Sequence, residues 1–141
     1  VIVLDEQMSN RRVLNAIGKW YRGKVLFAKD LRPGSIIKDD SIPQLLRQKK
    51  SKPAFVTINV SHFWRKAPTD QRFCVVCLDI SDFFIRNMAP VLKLLNWLFS
   101  HPDFSKKKQR AGHVFRITAD GLVQFYSHDD NRIRSLVLLE A

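Results

Sequence analysis

Val1–Leu4 is a short run of apolar, mostly β-branched residues with no polar alternation, and it stops at an acid, Asp5. Alternation marks a strand with one wet face. Its absence marks a strand buried on both faces, as in a parallel sheet sandwiched between helices. Parallel strands need long crossovers, usually helical, so the rest of the chain should alternate strand and helix.

It does. Ser9 or Asn10 can cap a helix in which Val13, Ile17 and Trp20 share a face, with Leu14 and Tyr21 beside them and Gly23 at its end. Lys24–Ala28 reads as a second strand, and Arg32–Ser35 as a loop. Asp39-Asp40-Ser41 opens a second helix with Ile42, Leu45 and Leu46 on its apolar face and Pro43 in the first turn, where no helical hydrogen bond is lost. A charged loop, Lys49–Pro53, follows it. Ala54–Val60 and Arg72–Ile80 are expected strands, joined by a loop over Ser61–Pro68. Ala89–Ser100 is an expected helix with Val91, Leu94, Leu95 and Leu98 as its stripe. His113–Thr118, Leu122–Ser127 and Ile133–Leu139, separated by turns at Ala119-Asp120-Gly121 and Asp129-Asp130-Asn131, read as an antiparallel meander. The predicted fold is α/β: a mainly parallel central sheet, helices on both faces, and a C-terminal antiparallel meander.

The 141 residues suit one domain, 1–141. An apolar fraction of 45% against 26% charged residues supports a packed core. The net charge of +11 (pI ≈ 10.1) fits a polyanionic partner, the alternative being a basic but merely solvated surface. Two cysteines exclude a disulfide scaffold, no run approaches membrane-spanning length, and Val1–Asp5 lacks the pattern of a signal peptide. A reduced, cytoplasmic protein with no membrane partner is the expectation. Cys74 and Cys77, at odd spacing on a strand, should face opposite sides and act as small buried hydrophobes. Five glycines offer no phosphate-cradling loop.

Sites in such sheets lie at the carboxyl ends of the strands. Asp5 and Glu6, then Asp39 and Asp40, then Asn59, Ser61 and His62 fall there. Carboxylates that converge need a cation, and Mg²⁺ or Mn²⁺ prefers oxygen ligands. The competing reading makes Asp5 a strand end and Asp39 or Asp40 a helix cap. On a continuing strand, Glu6 would face away from Asp5.

These residues also carry a resemblance. Leu4-Asp5-Glu6-Gln7 resembles the LDEN opening of the small PIN-like nucleases predicted as toxins of toxin–antitoxin pairs. Asp39-Asp40-Ser41-Ile42 resembles the family's DEEI helix start, Val56–Phe63 its TxDxDF strand end, and Arg132–Leu136 its RIRRL closing strand, all in the family's order. The resemblance implies a PIN-like fold and divalent-metal-dependent RNA cleavage, with Asp5 and Asp39 as ligands and Asn59, Asp40 or His62 completing the set. The chain departs from the pattern at strand three. Asn59 stands where the family has an acid, and His62 precedes Phe63 where it has a second, with one residue extra. Neither supplies negative charge, and an imidazole ligand would favour Mn²⁺.

Arg11 and Arg12 beside Asp5, Trp64-Arg65-Lys66, and the run Lys106, Lys107, Lys108 and Arg110 are the candidate nucleic-acid contacts. Each has a plain alternative: a solvated helix face, a buried tryptophan flanked by surface cations, and a mobile linker. Three readings compete: a metal-dependent endoribonuclease, a PIN-like module that binds nucleic acid without cutting, and a subunit neutralised by an acidic antitoxin-like protein. Homodimerisation is a further expectation of the resemblance.

Overall fold

The computed structural model describes residues 1–8, 10–34, 37–80 and 89–138, except the side chains of Ala89 and Val91. Ser9, Ser35 and Leu139 of the expected elements lie outside this set, as does the Val91 side chain. One seven-stranded sheet runs through the described chain in the order β2-β1-β3-β4-β5-β6-β7. The strands are β1 (Ile2–Leu4), β2 (Val25–Phe27), β3 (Ala54–Thr57), β4 (Cys74–Asp79), β5 (His113–Thr118), β6 (Leu122–Ser127) and β7 (Arg134–Val137). β1 to β5 are mutually parallel, and β6 and β7 run antiparallel beyond them.

Helices cover both faces, as the unalternating β1 requires. On one face, α1 (Arg11–Gly18) and α4 (Ala89–Ser100) bury Val13, Ile17, Leu94, Leu95 and Leu98 against Ile2, Leu4, Val56 and Val76. On the other, α2 (Ile42–Arg47) and α3 (Val60–Phe63) bury Ile42, Leu46 and Phe63 against Val3, Phe55, Val75 and Cys77. Cys74 and Cys77 do face opposite sides, and burial pushes both thiols up to about 12. Asn10 caps α1, its Oδ1 accepting the Val13 N–H at 3.0 Å.

Three expectations need correction. α1 ends at Gly18, not Gly23, and Trp20 and Tyr21 pack on the core from beyond the helix. Asp39–Ser41 forms a 3-10 turn ahead of α2 rather than its first turn. β3 stops at Thr57, and Val60–Phe63 is the short α3 instead of strand and loop. Here Asn59 N–H bonds back to the Thr57 hydroxyl at 3.0 Å, which bends the chain out of the ladder. The turn at Gly121 follows the sequence. The residue has φ +89°, and a Cβ there would lie 2.8 Å from the Leu138 carbonyl oxygen, so only glycine fits.

Candidate functional site

The sheet order sets the location of the site. From β1 the chain moves to β2 on one side, then returns to place β3 on the other. The crossovers therefore diverge at the carboxyl ends of β1 and β3, leaving a crevice where ligands bind in open α/β sheets. Asp5 follows β1 directly, and its N–H donates to Val56 O of β3 at 2.9 Å.

Asp5 is 5% exposed. Its Oδ2 accepts the Thr57 hydroxyl at 2.5 Å, and its Oδ1 accepts the Glu6 N–H at 2.7 Å. Burial raises the Asp5 pKa above the ordinary carboxylate value, against those hydrogen bonds, and the charges of Asp39 and Glu6 raise it further. Glu6 overturns the facing argument. The chain leaves β1 in a 3-10 turn over Glu6–Met8, so alternation ends at Leu4. Asp5, Glu6 and Asp39 then line one cleft of about 170 Å³, together with Lys29.

Asp39 is not a helix cap. Its Oδ2 accepts Asn59 Nδ2–H at 3.0 Å, and the same amide nitrogen lies 3.2 Å from His62 Nδ1. The Asn59 amide has two hydrogens, one for each neighbour. Ser61 donates to Asn59 Oδ1 at 3.3 Å, which fits that orientation. This network assigns the neutral His62 proton to Nε2 and makes Nδ1 an acceptor. His62 Nδ1 also lies 3.8 Å from Asp39 Oδ2. α3 is what turns His62 toward Asn59, three residues earlier.

Asp39 and Ile37 line a second, larger groove of about 890 Å³, so cleft and groove meet at Asp39. Asp40, His62 and Lys66 line the groove and not the cleft. Arg47, also at the groove, is held by Asp70 at 2.8 Å, and Arg72 binds the same carboxylate. These arginines hold the Asp70 carboxyl down at about 2.

The described residues form no dry cage for a metal, and both Asp5 oxygens already accept hydrogen bonds, so an ion here would have to keep most of its waters. A hard cation such as Mg²⁺ binds through one or two carboxylates and keeps several waters. Asp5 and Asp39 supply two carboxylates at one cleft. Among the described residues no three His, Cys, Asp or Glu side chains come together as a metal site. Asn59 turns a donor, not its oxygen, toward Asp39, and His62 Nδ1 is taken up by that amide. The geometry therefore lends no inner-sphere role to Asn59 or to His62 Nδ1.

The expected nucleic-acid contacts divide between the two ends of the sheet. Arg11 and Arg12 are exposed at the start of α1, which leaves from the carboxyl edge. Lys66 is exposed at the groove. Trp64 is half-buried and packs edge-on to Tyr126 at 5.1 Å. Arg65 stacks over the same ring at 4.6 Å and donates to Asn131 O at 2.9 Å. The stacking capacity of Trp64 and Arg65 is thus spent within the fold. Lys106 precedes α5 (Lys107–Arg110), which leads into the amino end of β5. Lys106, Lys107 and Lys108 are exposed there, about 16–20 Å from the carboxyl edge at 3.3 Å per strand residue. Arg110 is no phosphate contact: it is 8% exposed, lies 4.0 Å over the Phe99 ring, and donates to Phe104 O and Ser105 O.

Sequence reasoning passed over Thr57, the hydroxyl that ties Asp5 to Asn59, and a further charged row. Asp79 of β4 pairs with Arg116 of β5, which also donates to Gln124 of β6 at 2.7 Å. Strand parity puts Asp79 on the face of Val75 and Cys77, the layer that also holds Val3. The available signal was an apolar run ending in an acid, the pattern that picked out Asp5.

Among the described residues, no helix is long and apolar enough to cross a membrane. No protein-family model, curated protein or solved structure matches the chain.

Proposed function

We propose that this protein is a PIN-like, divalent-metal-dependent endoribonuclease, acting as the toxin of a toxin–antitoxin pair. One observation carries the reading: Asp5 and Asp39, the two acids selected by the resemblance, line the same cleft at the point where the crossovers diverge. Asp5 and Asp39 would hold Mg²⁺ or Mn²⁺. When bound, the ion supplies Lewis-acid stabilisation of phosphate charge and acidifies water for hydrolysis. Thr57 fixes the rotamer of Asp5, and Asn59 fixes that of Asp39. His62 presents Nε2–H as a hydrogen-bond donor to a phosphate oxygen. Arg11, Arg12 and Lys66 provide cations at this edge, and the +11 charge favours encounter with RNA or with an acidic antitoxin.

The test is cleavage of a mixed-sequence single-stranded RNA with Mg²⁺ or Mn²⁺, beside EDTA and Asp5→Ala controls. Cutting lost in both controls is the expected result. Intact RNA under every condition, with a shift on a binding gel, supports the second reading, a module that binds without cutting. That reading is favoured by Asn59, an amide where the family has an acid.

A further inference from the structure

We infer that the large groove between α2 and the α3 segment is a subsite for single-stranded RNA, holding the nucleotide next to the phosphate at Asp39. The inference rests on the nuclease reading for its substrate class and extends it to the groove and to Lys38, Gln44 and Lys66, which the family resemblance does not touch. The groove joins the carboxylate cleft through Ile37 and Asp39, so a strand lying in it has one end at the candidate metal position. Its volume, about 890 Å³, lies within the range of small-molecule sites and admits a nucleotide with its waters.

The lining offers the three chemistries a single strand needs: cations, apolar surface and an amide. Lys38 and Lys66 are exposed cations with no ion pair among the described residues, suited to phosphate. Ala67 and Pro68, with the buried Pro43 and Phe63 beneath them, form the apolar part of the lining, which a base could cover. Gln44 is exposed on α2 between them, and its amide offers both a donor and an acceptor to a base edge. His62 Nε2–H stands at the junction with the cleft. An acidic peptide suits the groove less well: Asp39 and Asp40 repel either polyanion, but only a nucleotide adds a base to set against the apolar part of the lining and the Gln44 amide. Bases must be unstacked and splayed to lie against such a wall, so a duplex is excluded.

The wall is also fixed in place. Asp70 clamps Arg47 of α2 at 2.8 Å, and Arg72 at the head of β4 holds Asp70 in turn. The α2 side of the groove is therefore pre-organised rather than assembled on binding.

The experiment is fluorescence anisotropy with a labelled single-stranded RNA octamer in EDTA, so that binding is read without cleavage. Lys66→Ala is expected to weaken binding severalfold and to lower the salt slope by about 0.7, the share of one single-strand phosphate. Lys66→Arg should restore both. Gln44→Ala is expected to reduce the preference among oligo(A), oligo(C) and oligo(U) by about three- to tenfold, the value of one net hydrogen bond. Lys24→Ala, exposed just before β2 at the opposite edge, should leave the base preference unchanged, and a duplex of the same sequence should bind more weakly. Wild-type affinity in both groove variants would overturn the subsite, as would equal binding of the duplex or displacement of the RNA by oligoglutamate. A protein that cuts RNA but shows no groove effect loses only the subsite. One that binds through the groove and never cuts loses only the nuclease reading.

Discussion

The two edges of the parallel sheet bury opposite charges and treat them differently. At the amino edge the buried charge is Arg110, satisfied by two backbone carbonyls and the Phe99 ring. Burial lowers its pKa, but every contact points inward and nothing is presented to a ligand. At the carboxyl edge the buried charge is Asp5, whose burial is aggravated by the neighbouring charges of Asp39 and Glu6. It borders a cleft that opens into a groove. A charge whose surroundings neutralise it serves the fold. A charge whose surroundings aggravate it is retained at a cost to stability, which is the usual mark of a site.

The sharpest way to break this comparison is to neutralise Asp5. Asp5→Asn should reduce RNA cleavage by roughly two orders of magnitude or more while raising Tm at neutral pH by about 2–4 °C. The sign follows from linkage. A carboxyl whose folded pKa is raised costs stability as pH climbs from the unfolded value through the folded one, so the cost is larger at neutral than at acid pH. The gain in Tm should fade as the pH falls toward the ordinary carboxylate range. Thermal melts across pH, run beside the cleavage assay, check both halves, and a lower Tm at pH 7 would remove Asp5 from the strained class.

Arg110→Ala tests the other edge. It should destabilise the protein by about 2–3 kcal/mol, since Phe104 O and Ser105 O lose their buried donor, yet leave groove-dependent RNA binding intact in the folded fraction. Urea denaturation gives the first number. A variant with wild-type stability and lost RNA affinity would reverse the assignment.

Asn59→Asp sharpens the carboxyl edge. A third carboxylate beside Asp39 should tighten Mg²⁺ or Mn²⁺ binding about tenfold, read by calorimetry, and cost about 1 kcal/mol in the metal-free protein through like-charge repulsion. Unchanged metal affinity would argue that Asp39 is not a ligand.

The smallest effect concerns the groove wall. Asp70 sits at about 2 because of Arg72 and Arg47, so it contributes stability that is complete above its ordinary 3.8 and is lost as pH falls through about 2. Asp70→Asn should therefore melt a few degrees below wild type at pH 6, about 2–4 °C, and the gap should close near pH 2. A gap that persists at pH 2 would assign the effect to packing rather than to ion pairing.

Much of the fold was legible because local patterns here agree with the tertiary ones. Unalternating Val1–Leu4 gave a doubly covered strand, Asn10 a cap, and Gly121 a turn. Legibility failed where a side chain redirected the backbone or left its expected environment. The Thr57 hydroxyl bends the chain at Asn59, so a β-rich heptad ends early and α3 begins. The 3-10 turn after Leu4 brings Glu6 into the cleft that strand periodicity had denied it. Trp64, Arg65 and Arg110 look like nucleic-acid contacts by composition, yet Tyr126 and Phe99 claim them from β6 and α4.

By itself the sequence determined a basic α/β chain with acids at its strand ends, because hydrophobic periodicity and turn chemistry act over a few residues and are written locally. Only the tertiary structure decided which charges meet. The sheet order 2-1-3 sets Asp5 against Thr57, Asp39 reaches Asn59 across twenty residues, and Lys106–Lys108 fall at the far edge. Those pairings depend on strand order and crossover side, which are chosen by packing the whole sheet at once and leave no mark in any short window.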